Sequence, residues 1–268
     1  MTDFNSFLSE TETGVMKGFQ KNGWHRFSVA HIDLLNGLRE KLYQWSMDYL
    51  KLQPAPDQAT FFNETHNYVT VEGLNAFRLH LIGQLSSEPQ IKAWLYHMAR
   101  DPLYCLVGNE LAMQRALNLS IQFPGDASSV LPLHSDVWSG NSPYEVVFWL
   151  PLVDCFNTKS MYVLPRHLSD PVLASFQKYA SLSAEAFYQE LEPQLQWMKV
   201  PYGDALLFSH SIIHGNRVNG ESTTRWTMNV RFKSLLSPYG SKEAGESFIP
   251  ITIRPATRVG YEYREPKC

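Results

Sequence analysis

His134-Ser135-Asp136, answered far along the chain by His214 and then Arg225, is the feature that most restricts how this sequence can fold. Side chains so distant in sequence serve one site only if the fold lays their segments side by side. In extended chain, residues i and i+2 face the same way, so His134 and Asp136 can project together from one short strand or its end. Residues 203–209 (GDALLFS) read as a strand opened by a Pro-Tyr-Gly-Asp turn, and His214 follows shortly after. Residues 223–234 (TTRWTMNVRFKS) alternate as a further strand. Arg225, Thr227, Asn229 and Arg231 fall on one face, and Trp226, Met228, Val230 and Phe232 on the other. A polar face opposite an apolar one suits a strand whose inner side lines a ligand cavity. A barrel-like sheet gathers such strands around one pocket.

Two histidines and a carboxylate are a donor set for non-haem Fe(II) that leaves positions open for a co-substrate and O2. H-x-D alone arises often by chance. A later histidine sharpens it, and an arginine eleven residues beyond, with Thr227 on the same strand face, makes the combination specific. A guanidinium so placed can clamp the distal carboxylate of an organic acid through two parallel hydrogen bonds.

Two stretches carry a resemblance to a known family: LPLHSDVWSGNSPYEVVFWLPLVDCFNTKSMYVLPRH and VPYGDALLFSHSIIHGNRVNGESTTRWTMNVRFKS. Over residues 116–234 the chain resembles the 2-oxoglutarate/Fe(II) oxygenases of the phytanoyl-CoA dioxygenase superfamily. The run HSDVWSGNSPYEVVFWLPLVD followed by KSMYVLP is most similar to the members found sporadically in carbohydrate biosynthesis clusters. The resemblance implies that His134, Asp136 and His214 ligate iron. It also implies that Arg225 binds the C5 carboxylate of 2-oxoglutarate with Thr227 assisting, and that Gln122, on the preceding strand, is a further candidate for the co-substrate site. O2 would be the second co-substrate, with succinate and CO2 released. The H-G-N at 214–216 favours His214 over His210 as the ligand, and Arg231 is a competing clamp at a less typical distance. Where many relatives carry Gly-Ser-His, this chain reads Leu164-Pro165-Arg166-His167, which bears on substrate class. Asp136 stands where related halogenases have a small residue, favouring hydroxylation over halogenation.

The implied fold is mainly β with flanking α: a double-stranded β-helix (jelly-roll, cupin-like) core with N-terminal helices. At 268 residues the chain suits one oxygenase domain, with a mostly helical part over 1–115, the β-helix core over 116–234 and a C-terminal extension over 235–268. Hydrophobic residues make up 44% and charged residues 18%, enough apolar material for a large core. A net charge of −3 argues against nucleic-acid or membrane-surface partners. Cys105, Cys155 and Cys268 show no metal or disulfide spacing, and the first residues lack a signal-peptide pattern, so a cytoplasmic location is expected. The expected partner is a small polar molecule, such as a sugar, nucleotide sugar or aminosugar derivative.

Along the chain, helices are expected over 4–20, 32–52, 74–85 and 90–100, with 110–115 continuing the last. Residues 24–29 read as an edge strand and 63–70 as a loop without function. Residues 171–191 form a helical insertion that covers the sheet or rims the cavity, and 250–258 return as a strand. Trp138, Asn141 and Tyr144, in the loop after H-x-D, are candidate substrate contacts, as are Asn216 and Arg217. Trp138, Trp149 and Tyr162 can stack on a sugar ring or simply fill a core. Two other readings compete: a cupin-type metal enzyme without 2-oxoglutarate, and a non-catalytic carbohydrate-binding jelly roll.

Overall fold

The computed structural model describes residues 7–242 and 244–265. The first part is helical: α1 (Glu10–Asn22), α2 (Ile32–Leu50), α3 (Gln58–Glu64), α4 (Val71–Ser87) and α5 (Pro89–Leu106), with strand β1 (Trp24–Ser28) between α1 and α2. Strands β2 (Leu111–Gln114), β3 (Asn118–Gln122), β4 (Glu145–Pro151) and β5 (Tyr162–Val163) follow. After helices α6 (Arg166–Ala174) and α7 (Ala184–Leu191) come β6 (Gln196–Trp197), β7 (Asp204–Ser209), β8 (His214–Gly215), β9 (Arg225–Ser234), β10 (Phe248–Thr252) and helix α8 (Pro255–Glu262).

Helix α1 starts where its chemistry dictates. Ser9 Oγ accepts from Glu12 N at 3.2 Å while the Glu12 carboxylate accepts from Ser9 N at 2.8 Å, a reciprocal capping box. It ends at Gly23, whose φ of +83° an L side chain rarely adopts. The helix expected from residue 4 therefore begins at Glu10, and positions 4–6 lie outside the described residues.

The strands form an antiparallel sheet in the order β1-β7-β4-β9-β2-β10, with β3 also on β9, and a small sheet β6-β5-β8. β9 organises the larger sheet. One edge pairs with β4 from Thr227 to Lys233; the other takes β3 at Arg225–Asn229 and β2 at Phe232–Ser234. Trp226, Met228, Val230 and Phe232, on its outer face, join one buried cluster with Leu35, Leu38 and Leu42 of α2, Phe77 and Leu81 of α4, and Leu95 and Met98 of α5. The helices thus fill the outer side of the sheet and leave the polar face of β9 to look inward. Helices α6 and α7 cover the small sheet, where Val172, Phe187, Tyr188 and Leu191 bury Tyr162, Leu164 and Ile213. Phe176, in the turn after α6, also packs against Trp138 at 4.5 Å, so the insertion covers the sheet. Among the described residues no helix is long and apolar enough to cross a membrane.

Three sequence expectations need correction. Residues 110–115 do not prolong α5. The helix stops at Leu106, Gly108 turns the chain at φ +111°, and Leu111, Ala112 and Met113 are buried in a strand between β9 and β10. Local helix propensity gives way to pairing on both sides. The expected loop 63–70 holds the end of α3 and a tight turn over Thr65–Asn67, and it is not idle. Trp226 Nε1 donates to Thr65 Oγ1 at 2.9 Å, His66 Nδ1 meets Thr224 Oγ1 at 2.9 Å, and Thr224 N donates to Asn63 O at 2.7 Å. This segment clamps the entry to β9, one residue before Arg225. Finally, the strand expected at 250–258 is β10 followed by α8, which opens with Pro255 in the first turn, where its missing N–H costs nothing.

Candidate metal centre

His134 and His214 face each other across one rung of backbone. His134 N donates to His214 O at 2.9 Å and His214 N to His134 O at 2.8 Å. Their rings lie 4.4 Å apart. The first histidine comes from an extended segment, the second from β8, paired with β5 through Tyr162↔Gly215 and Val163↔His214. A side chain at Gly215 has no room, since a Cβ there would lie 2.7 Å from Tyr162 Oη and 2.9 Å from Leu131 O. Ser135 keeps extended angles (φ −120°, ψ 133°) and is pinned by its Oγ to His210 O at 3.0 Å, so His134 and Asp136 share a side. Asp136 is not itself on a strand; it opens a short turn over Asp136–Ser139.

The ring nitrogens are already sorted. His134 Nδ1 lies 2.7 Å from Pro132 O and His214 Nδ1 lies 3.1 Å from Ile212 O. A carbonyl can only accept, so both Nδ1 atoms carry the proton and both Nε2 atoms offer a lone pair. Those atoms lie 3.8 and 4.0 Å from the Asp136 carboxylate, and one donor atom from each residue falls within 4.8 Å of the others. Two imidazoles and a carboxylate converging this way fit a divalent metal.

The electrostatics agree. Burial, aided by the charge of His134, pushes the His214 pKa down to about 4. Burial by itself raises the Asp136 carboxyl, but His214, His210, Arg231 and His134 together hold it below the usual range. Both groups therefore stay in their metal-binding forms at neutral pH. Behind Asp136 lies His210, wholly buried, with Nε2 3.8 Å from Asp136 Oδ2 and Nδ1 3.4 Å from Glu145 Oε2. Burial pushes the His210 pKa down to about 3 and raises that of Glu145. Arg231 Nη2 donates to Asp136 Oδ1 at 3.4 Å.

One pH dependence follows for the metal-free protein. An unfolded histidine titrates near 6.5, whereas folded His210 and His214 take a proton only at about 3 and 4. Below pH 6.5 the unfolded chain binds more protons than the folded one, so folding stability falls as the pH falls. Each group contributes a slope approaching roughly 1.4 kcal/mol per pH unit. Melting temperatures measured between pH 7 and 4.5 should decline steadily, and His210→Gln should flatten the curve. A level profile would contradict the burial of these two rings as neutral groups.

His134 and His214 open onto a small, solvent-connected cavity of about 70 Å³. Arg225, Thr227 and Asn229 from β9 and Ser120 from β3 supply its polar wall; Trp149, Met161 and Phe208 supply apolar surface. Arg225 is almost fully buried. Its Nη2 donates to Ser120 Oγ at 3.1 Å and its Nη1 to Ser160 O at 3.4 Å, while Nε has no partner. Among the described residues no carboxylate pairs with it, and burial pulls its pKa down to about 10. A buried cation met only by neutral oxygens is costly, and an anionic guest would relieve it.

The other sequence candidates divide. Gln122 sits opposite Arg225 in the ladder but does not line the cavity. Its Nε2 donates to Arg217 O at 2.8 Å and its Oε1 accepts from Asn216 Nδ2 at 3.3 Å, which steadies the chain just past His214. Asn216 reaches the cavity wall, whereas Arg217 pairs with Glu185 of α7 at 2.6 Å. Asn141 Nδ2 donates to Asp136 O at 2.9 Å, and Trp138 and Tyr144 are exposed. Trp149 lines the cavity, whereas Tyr162 is core. Sequence reasoning missed Ser120 and Glu145. The first lies two residues before Gln122 on the same strand; the second is a lone carboxylate opening an apolar strand, a signal that was there to use.

Antiparallel sheets backed by helices, with a His-Asp-His donor set at their meeting point, define a non-haem oxygenase-like fold. Comparison with solved structures finds the same fold in non-haem oxygenases. The chain is similar to a non-haem monooxygenase, ThoJ, in complex with nickel (TM-score 0.54, 15% identity, covering 89% of this chain and 84% of that one). It is similar to EctD from S. alaskensis in its apo form (TM-score 0.53, 13% identity, 89% and 81% covered). HygX from Streptomyces hygroscopicus, with nickel and 2-oxoglutarate bound, matches over 90% of this chain and 92% of its own (TM-score 0.50, 14% identity). No protein-family model and no curated protein matches the sequence. At these identities the likeness is one of fold, and it agrees with the resemblance carried by the two sequence stretches.

Proposed function

We propose that this chain is a non-haem Fe(II)- and 2-oxoglutarate-dependent dioxygenase, built as one domain around a double-stranded β-helix. The observation that carries the reading is Arg225, a buried cation without an anionic partner among the described residues, lining the same cavity as two histidine donors. In this reading His134, Asp136 and His214 hold the metal, and Arg225 with Thr227 receives the distal carboxylate of 2-oxoglutarate. When bound, the metal and its keto acid supply the oxidising chemistry, in which 2-oxoglutarate and O2 become succinate and CO2 and the substrate is oxidised.

The protein groups do the positioning. The two Nδ1–carbonyl hydrogen bonds fix ring orientation and leave Nε2 free. Arg231 steadies the Asp136 carboxylate. Trp149, Met161 and Phe208 keep the inner cavity apolar, which strengthens the charge pairing at Arg225. Gln122 acts through Asn216 and Arg217. The substrate is read as a small polar molecule, sugar-derived by family likeness, with hydroxylation as the outcome. A cupin-type enzyme without 2-oxoglutarate, or a carbohydrate-binding module, has no use for Arg225 buried beside a metal donor set.

The test is anaerobic addition of Fe(II) and then 2-oxoglutarate to the purified protein. A weak visible charge-transfer band of the chelated keto acid is expected, absent in His214→Ala. Folded, iron-loaded protein without that band would sink the 2-oxoglutarate assignment.

A further inference from the structure

The polar face of β9 continues beyond the metal centre. Arg225 stands at its start and Arg231 six residues on, roughly 20 Å away at about 3.3 Å per residue, with Thr227 and Asn229 between. Arg231 marks a boundary. It donates through Nη2 to Asp136 Oδ1 at 3.4 Å and through Nη1 to Gln114 Oε1 at 3.3 Å. Beyond it opens a second cavity of about 580 Å³, continuous with solvent. Its wall includes Lys92 of α5, Arg115, Arg231 and Lys242, with Glu246 the one carboxylate among the described lining residues.

Arg231 faces the Asp136 carboxylate, whereas the other three cations are met by neutral groups or by none. Lys242 Nζ donates to Asn141 Oδ1 at 2.7 Å, and Arg115 Nε donates to Glu246 O at 3.1 Å. Lys92 has no hydrogen-bond or ion-pair partner among the described residues. Burial, together with the charge of Arg115, holds its pKa below the ordinary lysine value. With Arg231 paired to Asp136, Lys92, Arg115 and Lys242 still outnumber Glu246 among the described lining residues, so an anionic guest is favoured over a neutral one. Arginine forks and lysine point charges together suit phosphoryl oxygens.

We propose that this second cavity binds a phosphoryl group, and that the primary substrate is a phosphate-bearing small molecule whose reacting end passes Arg231 toward Asp136. The substrate role rests on the dioxygenase reading above; the anion site stands apart from it. The experiment is calorimetric titration of inorganic phosphate, with malonate as a dicarboxylate control, into anaerobic iron-loaded protein saturated with 2-oxoglutarate. Saturable, salt-sensitive phosphate binding is expected, weakened roughly tenfold in Lys92→Gln and again in Lys92→Gln/Lys242→Gln, and restored in Lys92→Arg. The charge-transfer band should be the same in Lys92→Gln as in the parent. No saturable phosphate binding, undiminished affinity in the double variant, or malonate binding as tightly as phosphate would each overturn the proposal. Phosphate binding without any charge-transfer band would support the anion site while removing the dioxygenase reading, and the band without phosphate binding would do the reverse.

Discussion

Arg225→Ala is expected to raise the KM for 2-oxoglutarate about 30-fold or more while leaving kcat at saturating co-substrate much closer to that of the parent. The reason is the isolation of this guanidinium. It is almost fully buried, its Nε finds no acceptor, and its other nitrogens reach only Ser120 Oγ and Ser160 O. Removing one partner of a buried charge pair costs roughly 2–5 kcal/mol, and the loss falls on a contact made equally before and during the reaction. Arg225→Lys should recover part of the loss, because charge is kept and the two-pronged geometry is not. Titration of the charge-transfer band with 2-oxoglutarate reads the affinity independently of turnover. An unchanged KM would transfer the clamp to Arg231, although Arg231 already has the Asp136 carboxylate at 3.4 Å.

The second large effect is expected at the metal. Asp136→Ala should weaken Fe(II) binding by well over 100-fold, since even outer hydrogen-bonding partners of such ligands contribute about 10–100-fold. A metal at about 100 times its Kd stabilises the folded state by roughly 2.7 kcal/mol. Anaerobic Fe(II) should therefore raise the melting temperature of the parent protein and leave that of Asp136→Ala unmoved. The substitution also strips Arg231 and His210 of the carboxylate they face, so the metal-free variant should itself melt lower. Equal metal-induced shifts in parent and variant would remove Asp136 from the ligand set.

Much of the site is legible in the sequence because its parts obey local periodicities. The alternation over 223–234 announces both faces of β9, and the inner one does present Arg225, Thr227 and Asn229 to the cavity beside His134 and His214. The i, i+2 spacing of His134 and Asp136 holds, although a short turn replaces the expected strand at Asp136. What stays illegible depends on partners. Nothing local says that Glu145 faces His210, or that Gln122 turns its amide to the chain beyond His214, since register across distant strands decides both. The segment Leu111–Gln114 is composed like a helix and becomes a strand because β9 and β10 flank it. The 63–67 turn looks dispensable until the indole of Trp226 is found hydrogen-bonded to Thr65.

A pleated strand is a ruler with fixed graduations. Along the inner face of β9 a side chain can move only in steps of about 7 Å, because a shift of one residue turns it to the opposite face. The distance between the proposed co-substrate anchor at Arg225 and Arg231 is therefore quantised. A longer or shorter substrate cannot be accommodated by sliding either arginine. The adjustment has to come from parts off the ruler, such as the turn at Asp136–Ser139, which lies outside the rung that joins His134 to His214.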